Sequence, residues 1–91
     1  NIEKILKALA NRRRLAILAY IAKNSEASVS ELAAATRISF KSTSRHLIIL
    51  KNADIVERDQ RSLAAFYQLS STIDPRITAL IETAQTAQSQ K

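Results

Sequence analysis

SVSELAAATRISFKSTSRHLIILKNADIV, residues 28–56, reads as a helix, a tight turn and a longer helix. Ser28 and Glu31 have the spacing of a capping box. The Ser hydroxyl accepts from a first-turn amide while the Glu carboxylate reaches back to the amide of Ser28. Leu32, Ala33 and Ala35 continue a short apolar helix, and residues 36–39 break it. Ser39 is a second N-cap candidate, and residues 40–53 contain neither Gly nor Pro.

At 3.6 residues per turn, Phe40, Thr43, Leu47, Leu50 and Asp54 fall on one side of the second helix, and all but Asp54 suit a core. Lys41, Arg45 and Asn52 fall opposite, flanked by Ser42 and Ser44. That outward face begins with two cations and two hydroxyls and carries no acid. It has the chemistry a helix needs in the major groove, where cations neutralise phosphates and Arg or Lys reaches guanine edges. A solvated basic helix face is the competing reading of the same residues.

Working outward, the 91 residues suit one domain, residues 1–91, and the 46% of hydrophobic residues are enough for a compact core. Only four residues are aromatic, so Leu, Ile and Ala must fill that core. With no Gly and one Pro, helix should dominate, and any turn needing a positive φ must use a less suitable residue. The absence of Cys removes disulfides and thiolate metal ligands and suits a reducing compartment. No apolar run approaches the roughly 20 residues that span a bilayer. A soluble, cytoplasmic protein without membrane contact is the expectation.

The net charge of +6 is unevenly spread. Residues 1–23 hold six basic residues and one acid, and residues 37–51 hold Arg37, Lys41, Arg45 and Lys51 with no acid. Such clustering attracts nucleic acid through counterion release. An acidic membrane surface is the competing partner, but residues 37–51 lack the bulky aromatic anchors that an interfacial helix favours.

Before the central stretch, Ile2, Ile5, Leu6 and Leu9 stand at helical spacing. Asn11 looks like the N-cap of a helix through Ala22, with Leu15, Leu18, Ile21 and Ala22 as its core stripe. Arg12, Arg13 and Arg14 follow that cap directly. Three cations at a helix N-terminus oppose its macrodipole. A neighbouring phosphate would relieve them; extension into water is the alternative, and Arg14 could be structural instead. Residues 27–29 suit a short strand at a sheet edge. Beyond the long helix, residues 56–59 and 63–69 read as two strands around a turn at Gln60, Arg61 and Ser62, a wing. Asp74 and Pro75 restart a helix of about residues 75–88, striped by Ile77, Leu80, Ile81 and Ala84, with a fraying tail TAQTAQSQK. The core should hold Leu15, Leu18, Leu32, Leu47, Leu50, Val56 and Leu69.

LKALANRRRLAIL, SVSELAAATRIS, STSRHLIILKNADIV and VERDQRSLAAFYQLS match, in order and at the right spacing, strings of the ArsR/SmtB-type winged-helix regulators. The chain resembles that family without gaps from about Ile5 to Leu69. The resemblance implies a mainly α winged helix-turn-helix with a small β-hairpin, and a homodimeric transcriptional repressor reading an inverted-repeat operator in double-stranded DNA. The first and last helices, with Ile2, Ile5, Leu6, Leu9, Ile77, Leu80, Ile81 and Ala84, would pair across a two-fold axis. Lys41, Ser42, Ser44 and Arg45 would contact DNA, and the wing tip around Arg61 would approach the backbone or minor groove. Beside them, Arg12 and Arg13 are expected to contact phosphates on the ground of their place at a helix N-terminus, not of the resemblance.

The departures from the family's pattern are specific. Arg37 stands where a turn Gly is usual, Ser62 replaces the wing Gly, Leu63 replaces a common Arg, and Ile48 occupies the place of a phosphate-binding cation. The metal ligands are missing too: Leu32 to Ala35 are apolar where the thiolate site needs Cys, and the last helix offers Asp74 and Glu82 but no His. His46, the one His, is read as a packing or hydrogen-bonding residue rather than a ligand. The expectation is a regulator without cofactor or metal, with a small-molecule effector or a protein partner left open. A winged-helix module for protein association is the alternative, motivated by Ile48, Ile49 and the weakened wing. No nucleophile, base and orienting group can be assembled around a single His without Cys, which argues against an enzyme.

Overall fold

A computed structural model describes residues 1–89, with side chains described through Ala84. Among these residues the order is α1 (Ile2–Leu9), α2 (Arg12–Asn24), β1 (Ala27–Ser28), α3 (Val29–Thr36), α4 (Phe40–Asn52), β2 (Val56–Arg61), β3 (Ala64–Leu69) and α5 (Pro75–Ser89).

Each helix begins where a side chain can satisfy its first amides. Asn11 accepts from the Arg14 amide at 3.0 Å, and Ser39 from the Ser42 amide at 3.0 Å. Ser28 and Glu31 close the full capping box, at 3.1 Å and 2.8 Å. Asp74 accepts from the Arg76 amide at 2.8 Å, one residue beyond Pro75. The tail expected to fray from Thr83 stays helical through Ser89; Gln90 and Lys91 lie outside the described residues.

The helices pack around α2, which touches α1, α3, α4, α5, β1 and β3. Ile17, Leu18 and Ile21 of α2 are fully buried against Leu32, Leu47, Leu50, Ile55 and Ile81. Of the expected core residues, Leu18, Leu32, Leu47, Leu50 and Val56 are buried. Leu15 and Leu69 are only half-buried at its rim, because the first turn of α2 and the last residue of β3 lie at the edge of the packed layers.

The sheet is antiparallel in the order β1-β3-β2, with Ala27 opposite Tyr67 and Val56 opposite Leu69. The wing is longer than the sequence suggests. Gln60 and Arg61 are not turn residues: they pair with Ala65 and Ala64, which leaves a two-residue turn of Ser62 and Leu63. Ser62 carries φ 55°, at the position where such turns favour Gly.

Among the described residues of this glycine-free chain, four take positive φ: Ser25, Arg37, Asp54 and Ser62. Arg37 caps α3 at φ 58° and ψ 39°, donating its amide to the Ala33 carbonyl. A Cβ in this region costs about 1–2 kcal/mol. Arg37→Gly relieves that strain but adds a more flexible residue to the unfolded chain. The expected outcome is a net gain of about 0.5–1 kcal/mol in urea melts; unchanged or lower stability would mean that the Arg37 side chain contributes as much as its backbone costs.

Candidate nucleic-acid interface

α3 and α4 are set against each other by the turn at Arg37. α4 buries Thr43, Leu47 and Leu50, and the Thr43 hydroxyl donates to the Ser39 carbonyl at 2.8 Å. With that face turned inward, Lys41 and Arg45 are exposed, and Ser42 and Ser44 are half-buried beside them. The outward basic face read from the helical wheel is therefore present. Phe40 departs from the wheel. It is 59% exposed, because the first residue of α4 projects past the core toward the wing. There it lines a groove with Ser44, Arg58, Gln60, Leu63 and Tyr67. Leu63, at the tip of the wing, is fully exposed.

Strand alternation divides the cations of the wing. Arg58 and Gln60 share the face of β2 that lines this groove, and Arg58 donates to the Gln60 side chain at 2.5 Å. Arg61 projects on the other face and is held there. Its two terminal nitrogens donate to the Glu26 carboxylate at 2.6 Å each, its Nε donates to Asp59 at 2.9 Å, and its guanidinium lies 4.7 Å from the Phe66 ring centre. The hydrogen bond from Arg61 holds the Glu26 carboxyl below its usual range. The expectation that Arg61 lies in the wing-tip turn is thus corrected: Arg61 is a strand residue that braces the wing against the α2–β1 loop. Sequence reasoning misses Arg58, although counting by twos from Arg61 sets the two on opposite faces. At its base the wing is tied to the segment before α5, where Glu57 accepts from the Ser71 amide at 2.8 Å and from the Ser70 and Ser71 hydroxyls. These bonds, the amide of Ser71 foremost, keep the Glu57 carboxyl below its usual range.

Arg12 and Arg13 are exposed on the first turn of α2, whereas Arg14 turns inward. Its Nε donates to the Ala8 carbonyl at 2.6 Å, and one terminal nitrogen lies 3.3 Å from Nδ1 of His46. Arg14 thereby ties the end of α1 to the middle of α4. His46 is a hydrogen-bonding residue, as its sequence setting suggests.

The apolar stripes of α1 and α5 are split. Ile2, Leu6 and Leu80 are more than half exposed, and Ile5, Ile77 and Ala84 are half-buried. Leu9 and Ile81 are buried in the core of this chain and so cannot contribute open surface to a partner, because α2 lies over both helices. Ile48 and Ile49 of α4 are exposed, at 56% and 38%. Among the described residues no group of three or more His, Cys, Asp and Glu comes together, and no helix is long and apolar enough to cross a membrane.

This arrangement of helices and wing coincides with a known group. The family model for bacterial regulatory proteins of the arsR family matches residues 11–58, from the cap of α2 to the first half of the wing. The chain belongs to the arsR family. It is 40% identical over 78 residues to the transcriptional activator HlyU of Vibrio cholerae, covering 86% of this chain and 68% of that protein. The structure of reduced HlyU from that organism superposes with a TM-score of 0.80 at 35% identity, over 94% of this chain and 86% of that one. The HTH-type transcriptional regulator Rv0324 of Mycobacterium tuberculosis is 32% identical over 89% of this chain, which spans only 35% of that regulator's length. The homodimeric winged helix-turn-helix DNA-binding domain Mb0332 from Mycobacterium bovis has a TM-score of 0.78 at 28% identity, over 98% of this chain and 79% of that one. The fold of this arsR-family chain is a winged helix-turn-helix, with α3 and α4 as the helix-turn-helix and β2–β3 as the wing.

Proposed function

We propose that residues 1–91 act as one DNA-binding domain of a transcriptional regulator, which binds an inverted repeat in double-stranded DNA as a homodimer. The observation that carries this reading is the outward face of α4. Lys41 and Arg45 are exposed with Ser42 and Ser44 beside them, on a helix whose other face is anchored in the core. Lys41, Ser42, Ser44 and Arg45 would enter the major groove, and Arg12 and Arg13 would contact phosphates. Arg58, rather than the braced Arg61, would be the wing cation nearest the duplex. The DNA-binding neighbour from M. bovis is a homodimer, and the apolar residues left open on α1 and α5, Ile2, Leu6 and Leu80, are suited to the same use here. Occupying an operator that overlaps a promoter would repress. The V. cholerae relative is named an activator, so the position of the operator would set the sign.

Selection of bound duplexes from a random pool tests the reading. The expected product is an inverted repeat with half-sites about one turn of duplex apart. A pool that shows no enrichment would overturn it. The exposed Ile48 and Ile49 favour a second reading, a protein-association surface on α4. Ile48→Ser and Ile49→Ser variants that bind duplex as well as the parent chain but lose a protein partner would support it.

A further inference from the structure

Between α1 and the end of α4 runs an open groove of about 330 Å³, within the size range of small-molecule sites. Its apolar bed is made by Ala8 and Ala53, both buried, and by Ile49. Lys4 and Lys7 from α1, Arg14 from α2 and Asn52 from α4 complete the lining, which holds three cations and no acid. Arg14 is half-buried, and its side-chain partners among the described residues are all neutral. Its Nε donates to the Ala8 carbonyl at 2.6 Å, one terminal nitrogen donates to the Lys7 carbonyl at 3.4 Å, and the other lies 3.3 Å from Nδ1 of His46. The carbonyl end of α1 offsets only about half a charge. Each terminal nitrogen carries two N–H groups, so each retains one for a further acceptor. Among the described residues neither Arg14 nor Lys4 forms an ion pair, and Lys7 meets Glu3 only at 4.0 Å with both side chains exposed.

We propose that this groove is the seat of a small carboxylic acid with an apolar body, bound as its anion. The carboxylate accepts from the remaining N–H groups of Arg14, whose planar fork suits two carboxylate oxygens. The Lys4 ammonium closes on it from α1, and the hydrocarbon body lies on Ala8, Ile49 and Ala53. The two halves of the lining select this class together. A bare phosphate leaves the apolar bed uncovered, and a neutral ligand leaves the Arg14 charge unmatched.

The seat stays open in the proposed dimer. At 3.6 residues per turn, Lys4 and Ala8 lie on a different face of α1 from Ile2 and Leu6, the residues suited to a second copy. The proposal needs only the fold of one chain and does not rest on the DNA-binding reading.

The experiment is calorimetric titration of the full chain with naphthoate at neutral pH. One naphthoate should bind per chain, saturably and in the millimolar range or tighter. Naphthylmethanol, which has the body without the charge, and inorganic phosphate, which has the charge without the body, should each bind about tenfold more weakly or worse. Lys4→Glu puts an acid in the first turn of α1, where the helix dipole favours it, so the fold is kept while naphthoate affinity falls about tenfold. Ile49→Ser, at an exposed position, should weaken naphthoate and leave phosphate unchanged. In amide NMR spectra naphthoate should move the signals of Ala8, Arg14, Asn52 and Ala53 before any others. Absence of saturable naphthoate binding would overturn the seat. So would equal binding of phosphate or naphthylmethanol, an unchanged affinity in Lys4→Glu, or shifts centred elsewhere in the chain.

Discussion

Replacing Leu47 by alanine should lower the unfolding free energy by about 2–5 kcal/mol in denaturant melts. The side chain has no exposed surface and lies in the middle of α4, between Thr43 and Leu50 on the only face of that helix that enters the core. Truncation removes apolar packing and leaves a cavity between α4 and α2 that rigid helices cannot fully close. The midpoint should fall with an unchanged denaturant slope, the mark of reduced stability without a change in the surface exposed. A loss well under 1 kcal/mol would mean that α4 is anchored elsewhere, and the orientation assigned to its outward face would have to be revised with it.

Arg45→Ala should weaken binding to the selected operator by about 1–3 kcal/mol and relax the preference at one position in each half-site. Arg45 is exposed near the middle of the outward face, one turn after Lys41, where a long side chain reaches base edges. Arg12→Ala and Arg13→Ala should act differently. They should weaken specific and scrambled duplexes alike, and each should reduce the salt dependence by about one unit for every phosphate it no longer neutralises. Titrations of both duplexes at several salt concentrations separate the two patterns. If Arg45→Ala changes neither affinity nor preference, α4 is not the reading helix.

The helices were legible because their signals are local. Ser28 with Glu31, Ser39, Asn11 and Asp74 with Pro75 each mark a start within four residues, and the inward stripe of α4 follows from spacing alone. What escaped depends on contacts across the chain. Arg61 looks like a wing-tip cation until Glu26, 35 positions earlier, is found holding it. The pairing of Arg14 with His46 spans 32 positions and leaves no local pattern. Phe40 belongs to the core side by helical phase, yet a helix's first residue can overshoot the layer it faces, and only the position of the wing reveals that. Leu9 and Ile81 carry the same apolar periodicity as Leu6 and Leu80. Period identifies a buried stripe without telling whether its own chain or a second one covers it.

The left-handed residues of this glycine-free fold also have a consequence for the denatured chain. Glycine contributes more backbone freedom to an unfolded polypeptide than any other residue. Its absence from all 91 positions narrows the ensemble from which this chain folds. Strain held at Ser25, Arg37, Asp54 and Ser62 is thus set against a smaller gain of disorder on melting. Because that gain is what rising temperature multiplies, heat should have a shallower grip on this protein than on a relative whose turns are made of glycine.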